Sequence, residues 1–215
     1  MDAREVGLGL GFLGALLSLT MVVPQARLIW RDRLYVGVSI NSWALLSMAA
    51  GTWFGFAVRT GNAALGAGNA LMLFSCWWVI LGSLRADGYP PRRTFLVTAT
   101  CWVGAAATVA LGLFAPGLVV AIGITASLVR VPQVLDSWRT LRAGTLSEVS
   151  AASLWIGLAG NCCWTLHGTL IGDPLVAVCA GLGLVVSATI VALERLAALR
   201  RAESTQLQPH SENAS

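Results

Sequence analysis

Seven apolar segments punctuate this chain, near residues 7–28, 38–58, 63–84, 94–114, 117–135, 149–170 and 174–193. Each is long enough to cross a bilayer as a helix, which takes about 20 residues. The joints between them are short and carry breakers: Asp87-Gly88-Tyr89-Pro90-Pro91 before the fourth, Ala115-Pro116-Gly117 after it, and Gly172-Asp173-Pro174 before the seventh. From 202 to 215 the chain turns polar and aperiodic, the pattern of a disordered tail. The pattern predicts an all-α integral membrane protein with seven transmembrane helices.

Charge then orients the spans. Arg27, Arg31 and Arg33 mark the first loop, Arg85, Arg92 and Arg93 the third, Arg139 and Arg142 the fifth, and Arg195, Arg200 and Arg201 the tail. Loops two, four and six hold only Arg59 between them. An excess of arginine on alternate loops puts the odd loops and the C-terminus in the cytoplasm and the N-terminus outside.

Composition agrees with the spans. Of 215 residues 56% are hydrophobic and 11% charged, where a soluble domain would carry roughly a quarter charged. Mean hydropathy is +0.74. All 14 basic residues are arginine, and with the heavy use of alanine and glycine this points to a bacterial source, hence a plasma membrane. The net charge of +4 is not a nucleic-acid signal, because the arginines sit in short loops where they act as topology determinants. The five cysteines (Cys76, Cys101, Cys162, Cys163, Cys179) fall inside apolar segments without a metal-spaced partner and read as small packing residues. No cofactor or metal is expected. The N-terminus lacks the basic region of a cleaved signal peptide.

The chain also repeats itself. Pro24-Gln25 recurs as Pro132-Gln133, 108 residues later (132 against 24), and each pair is followed by Trp-Arg at the same spacing, Trp30-Arg31 and Trp138-Arg139. After a three-residue insertion, Val38-Ser39 matches Val149-Ser150, Trp53 matches Trp164 and Gly61 matches Gly172. Each unit is three spans, covering 7–84 and 117–193, with 94–114 belonging to neither. A three-span unit leaves on the side opposite its start, so a direct copy would insert upside down. One linker span restores the orientation and makes the halves parallel copies. The expected plan is therefore 3+1+3: two parallel triple-helix bundles joined by a linker helix.

A Pro-Gln pair, a short arginine loop and then Gly-x-Ser or Ser-Glu-x-Ser resembles the PQ-loop repeat. Two such repeats around a lone linker span resemble the PQ-loop/SWEET (MtN3) transporter group over roughly residues 8–193. The resemblance implies a central substrate pocket between the bundles and alternating access by rocking.

Candidate residues follow from these two lines. Proline inside a helix removes a hydrogen bond and crowds the preceding turn, so Pro24 and Pro132 are read as hinges, with Gln25 and Gln133 bonding the freed carbonyls or reaching the other bundle. A static kink is the plainer reading. Trp53 and Trp164 hold matching positions and are read as pocket walls that stack on a sugar ring, against an interfacial aromatic belt. Trp164-Thr-Leu-His167-Gly168 resembles the Trp-x-x-Tyr-Gly stretch of SWEET-type repeats, with His167 in place of tyrosine. Asn69 matches the position at which SWEET-type proteins place a pocket asparagine, while its counterpart is Ala180. Asn161, one turn before Trp164, is read as supplying the second amide. Interhelical hydrogen bonding is the alternative for both asparagines. Arg130 either snorkels to the cytoplasmic surface or faces the pocket, with Asp136 as a candidate partner. Ser39 and Ser150 read as helix N-caps.

The function expected is transport of a small polar solute, most simply a sugar, by rocking-bundle alternating access. A PQ-loop amino-acid transporter and a non-transporting seven-span receptor or scaffold are the alternatives. The partners implied are a small-molecule substrate and the lipid bilayer, with no nucleic acid and with homo-oligomer formation left open. An enzyme is not expected, since no nucleophile–base spacing, metal set or paired carboxylate is found.

Overall fold

A computed structural model describes residues 2–32, 40–128, 131–143 and 151–206. All regular structure among them is helical: α1 (Ala3–Asp32), α2 (Ile40–Thr60), α3 (Ala63–Ala86), α4 (Pro91–Phe114), α5 (Pro116–Leu128), α6 (Val131–Ala143), α7 (Ala151–Ile171) and α8 (Pro174–Gln206). The protein is all-α.

Four helices are long and apolar enough to cross a membrane: α1 over Ala3–Thr20, α3, α4, and α8 over Pro174–Arg200. Helix α5 adds a shorter apolar stretch, Gly117–Ser127. Helices α2 and α7 have 21 residues each, but their apolar character is diluted by tryptophan, serine, threonine, asparagine and histidine. Several of these polar side chains are turned inward. Ser47, Thr52 and His167 are buried. Large apolar side chains cover the outside, Phe95 and Val103 being 70% exposed and Phe114 81%, a surface compatible with lipid and costly in water.

Two helical hairpins are built alike. At the end of α2, Gly61 takes φ 68°, and at the end of α7, Gly172 takes φ 75°, a conformation that glycine adopts without steric cost. The next residue closes the turn by donating back to the helix, Asn62 N–H to Ala57 O at 3.0 Å and Asp173 N–H to Gly168 O at 2.8 Å. The same residue then caps the following helix: Leu65 N–H donates to Asn62 Oδ1 and Val176 N–H to Asp173 Oδ1, both at 3.1 Å.

Packing follows the same repetition. Helix α3 lies against both α1 and α2, while α8 lies against α5, α6 and α7. Helices α1 and α3 run in the same sense, with Ala15 beside Gly68 and Ile29 beside Gly82. Along α8, Gly123 of α5 meets Cys179, and further on Leu141 of α6 packs with Leu193 and Ala197. The two sets meet where α1 packs on α7 and α2 on α5. Helix α4 stands apart, seated mainly on α2. Gly55 and Gly112 allow that seat, since a Cβ on either would run into backbone of the other helix, Val109 O or Thr52 O.

Three boundaries differ from the expectation. Helix α1 continues to Asp32 and α6 to Ala143, so Arg31, Arg139 and Arg142 sit on helices rather than in loops. Helix α8 continues to Gln206, so the tail expected to be disordered from 202 is helical over 202–206. The run Arg195-Leu-Ala-Ala-Leu-Arg-Arg-Ala-Glu203 consists of strong helix formers, and Ala197 is still buried there. Residues 207–215 lie outside the described residues, as do Ser39, Ser150 and Arg130.

Candidate functional site

Between the two sets of helices lies a cavity of about 440 Å³, walled by α1, α2, α3, α5, α7 and α8. Trp53, Asn69, Asn161 and Trp164 all line it. Its volume equals that of about 15 waters at roughly 30 Å³ each, within the range of small-molecule sites.

The wall obeys the sequence repeat. With the offset of 108 for α1 against α5 and of 111 (164 against 53) for the later helices, twenty of the 24 lining residues described fall into ten matched pairs. Trp53 pairs with Trp164, Leu65 with Val176, Asn69 with Ala180, Ala50 with Asn161 and Met72 with Gly183. Even the aromatic neighbours correspond. Trp53 meets Phe56 edge-on at 5.9 Å and 87°, and Trp164 meets His167, the counterpart of Phe56, at 5.5 Å and 81°.

Toward the α2–α3 and α7–α8 turns the cavity is backed by packed side chains. Phe56, Ala57, Leu65, Val119 and Val176 form a buried cluster there, with Trp53, Trp164 and Leu175 packed on it. The wall continues the other way to Val22 and Trp43, near the end of the bundle where α1 stops and α2 starts. Trp43, Ser18 and Ser127 line the cavity although nothing in the sequence singled them out. Ser18 and Ser127 read as ordinary small residues of apolar spans, and Trp43 has no tryptophan counterpart.

His167 is fully buried above this cluster and ties three elements together. Its Nδ1 lies 2.7 Å from the Gly7 carbonyl oxygen. A carbonyl only accepts, so Nδ1 carries the hydrogen, and Nε2 accepts from Asn62 Nδ2 at 3.1 Å. The bond to Gly7 links α7 to α1, and the bond to Asn62 links it to the α2–α3 turn. His167 is thus a packed, hydrogen-bonded side chain.

The two asparagines are held differently. Asn69 Nδ2 donates to Leu65 O at 2.9 Å. Asn161 spends both amide hydrogens, on Gly157 O and on Ser187 Oγ, each at 3.0 Å. Ser127 Oγ contacts Gly123 O at 2.9 Å and Cys179 O at 2.8 Å, tying α5 to α8. Among the described lining residues none is an acid, a base or a histidine. Over its described residues the wall is apolar with a few neutral hydrogen-bonding groups.

The Pro-Gln pairs lie inside helices. Pro24 and Gln25 are within the unbroken helix α1, and Pro132 and Gln133 within α6. Gln133 is half-buried and is not among the lining residues. The side chains of Pro24, Gln25, Pro132 and Asp136 lie outside the described residues. No protein-family model matches the chain, and no curated protein sequence matches it.

Proposed function

We propose that this chain is an integral membrane transporter of the PQ-loop/SWEET type that moves a small neutral polar solute, a sugar, between the two sides of the bilayer. Its seven crossings are α1, α2, α3, α4, α5 with α6, α7 and α8, in a 3+1+3 plan with α4 as the linker. The arginine-rich ends face the cytoplasm, so the N-terminus lies outside and the membrane is a bacterial plasma membrane. Supporting the plan is the matched wall: equivalent positions of two sequence repeats surround one cavity, as expected of two like-oriented units about a shared axis.

The observation that carries the solute class is the chemistry of that wall. Three tryptophans contribute apolar ring surface, two amides and two serine hydroxyls present neutral polar groups, and no charge is found among the lining residues described. An uncharged polyol suits this wall. An amino acid brings an ammonium and a carboxylate, and burying either without a partner is costly. In the proposed orientation the end backed by the Phe56 and Val176 cluster faces out, and the Val22 and Trp43 end faces the cytoplasm. Transport then requires Trp53 and Trp164, with the cluster behind them, to part as the trios rock about Pro24 and Pro132.

Uptake of labelled glucose, sucrose, lysine and cystine into proteoliposomes tests the proposal. Flux of a sugar is expected, lowered by Trp53→Ala and by Trp164→Ala. Flux of lysine or cystine alone replaces the sugar with an amino acid. No flux of any, together with labelling of a cysteine at position 69 from one membrane face only, leaves a receptor in place of a transporter.

A further inference from the structure

The cavity wall is matched in position but not in size. Leu46, Ala49 and Met72 of the first half face Gly157, Gly160 and Gly183 in the second. Glycines thus take the place of larger side chains on α7 and α8, and Asn161 stands among them. Its orientation is fixed by chemistry. Gly157 O accepts only, so the nitrogen must face it, and Ser187 Oγ takes the other amide hydrogen. Oδ1 is left without a partner among the described residues. It lies over the Gly183 backbone, where an added Cβ would come within 2.8 Å of it. Glycine at 183 keeps that oxygen uncovered, whereas the first half has methionine at the matching place and alanine in place of the asparagine.

We propose that Asn161 is the specificity-determining residue of the cavity, an amide restricted to accepting, which selects a solute presenting a hydroxyl toward α7 and α8. Ser187 is its positioning residue. This rests on the cavity being a sugar site and adds which side of the site reads the sugar and by what group. A solute lacking that hydroxyl leaves Oδ1 buried and unpaired, and such sites reject analogues strongly for that reason. Asn69 keeps one amide hydrogen and its oxygen uncommitted, so it can rotate roles between donor and acceptor and discriminates less.

The test uses the full chain in detergent, with binding of D-glucose, sucrose and the 2-, 3-, 4- and 6-deoxy forms of glucose followed by fluorescence, and thermal midpoints as a check of folding. Wild type is expected to bind one deoxy form about tenfold more weakly than glucose. Asn161→Ala should bind glucose as weakly as that form and lose the discrimination. Gly183→Ala, which covers the oxygen without removing it, and Ser187→Ala, which releases one amide hydrogen so that Asn161 can donate as well as accept, should move the same ratio toward one. Asn69→Ala should lower affinity while keeping the ratio. Equal binding of all four deoxy forms by wild type, or an unchanged ratio in a folded Asn161→Ala, overturns this assignment and leaves the sugar site standing. Absence of glucose and sucrose binding by wild type overturns both.

Discussion

Trp164 lies across Gly68: a methyl group built on that glycine would come 3.1 Å from Cζ2 of the indole and 3.0 Å from Cβ of Ala15. Trp53 stands the same way over Gly123, where the added carbon would meet the ring and Cys179 Sγ, each at 2.7 Å. Each half thus offers a seat of two small residues, from its first and third helices, to the tryptophan of the other half. The rings line the cavity and pack one half against the other at once.

Filling a seat should loosen that packing. In Gly123→Ala, Trp53 must move, and overpacking of this kind costs about 1–3 kcal/mol. A lower thermal midpoint and reduced sugar uptake are expected. Gly160→Ala is the control, because its new carbon would find only Leu17 Cβ at 3.7 Å, an ordinary contact. Its midpoint should stay near wild type. Equal melting of both variants would show that the Trp53 seat contributes nothing to stability.

How far the sequence announced this arrangement depends on distance along the chain. The hairpins and the tryptophan pair were legible because Gly61 and Gly172, Trp53 and Trp164 repeat at one offset. The seats were not, because Gly68 and Trp164 are far apart in sequence and small residues are frequent along every span. The partners of His167, Gly7 and Asn62, lie 160 and 105 residues away, and no local pattern names them. Span number five was read to residue 135, whereas α6 runs on to Ala143. Apolarity ends there before the helix does, since α6 continues with one polar face and one packed on α8.

Removing the histidine tie should loosen the end backed by the Phe56 and Val176 cluster. His167→Phe installs the side chain that the repeat has at Phe56, keeping an aromatic ring beside Trp164. It removes the second bond to the Gly7 carbonyl, which keeps its helical one, and leaves the Asn62 amide nitrogen a buried orphan, at a cost of about 1–3 kcal/mol. The expected outcome is a lower thermal midpoint with faster hydrogen exchange in residues 3–12 and 62–66. Unchanged exchange there would mean that α1 is held by packing alone.

Helix α4 gives a harder failure. At Gly55 and Gly112 the obstacle is backbone rather than the tip of a side chain, so no rotamer change relieves it. Arg59 Nη1 also donates to Leu113 O at 3.2 Å at the same end of the pair. Gly55→Val and Gly112→Val should each prevent accumulation of monodisperse protein in the membrane fraction. Recovery of either in normal yield would show that α4 can stand off from α2, and a linker that loose would not fix the relation of the halves.

Pro24 tests whether stability and motion oppose one another here. Helix α1 is unbroken over 30 residues, yet Pro24 has no N–H to donate, so the carbonyl of Thr20 lacks its helical partner. An interior proline costs a helix about 3 kcal/mol. Pro24→Ala restores the bond and should raise the thermal midpoint. If that soft point is where the trio bends, the same change should slow sugar flux while binding of the sugar in detergent stays intact. A higher midpoint with undiminished flux would separate the two effects and remove Pro24 as a hinge. Diminished flux with weakened binding would instead trace the loss to a reshaped cavity, because Val22 and Ser18 on the same helix line its wall.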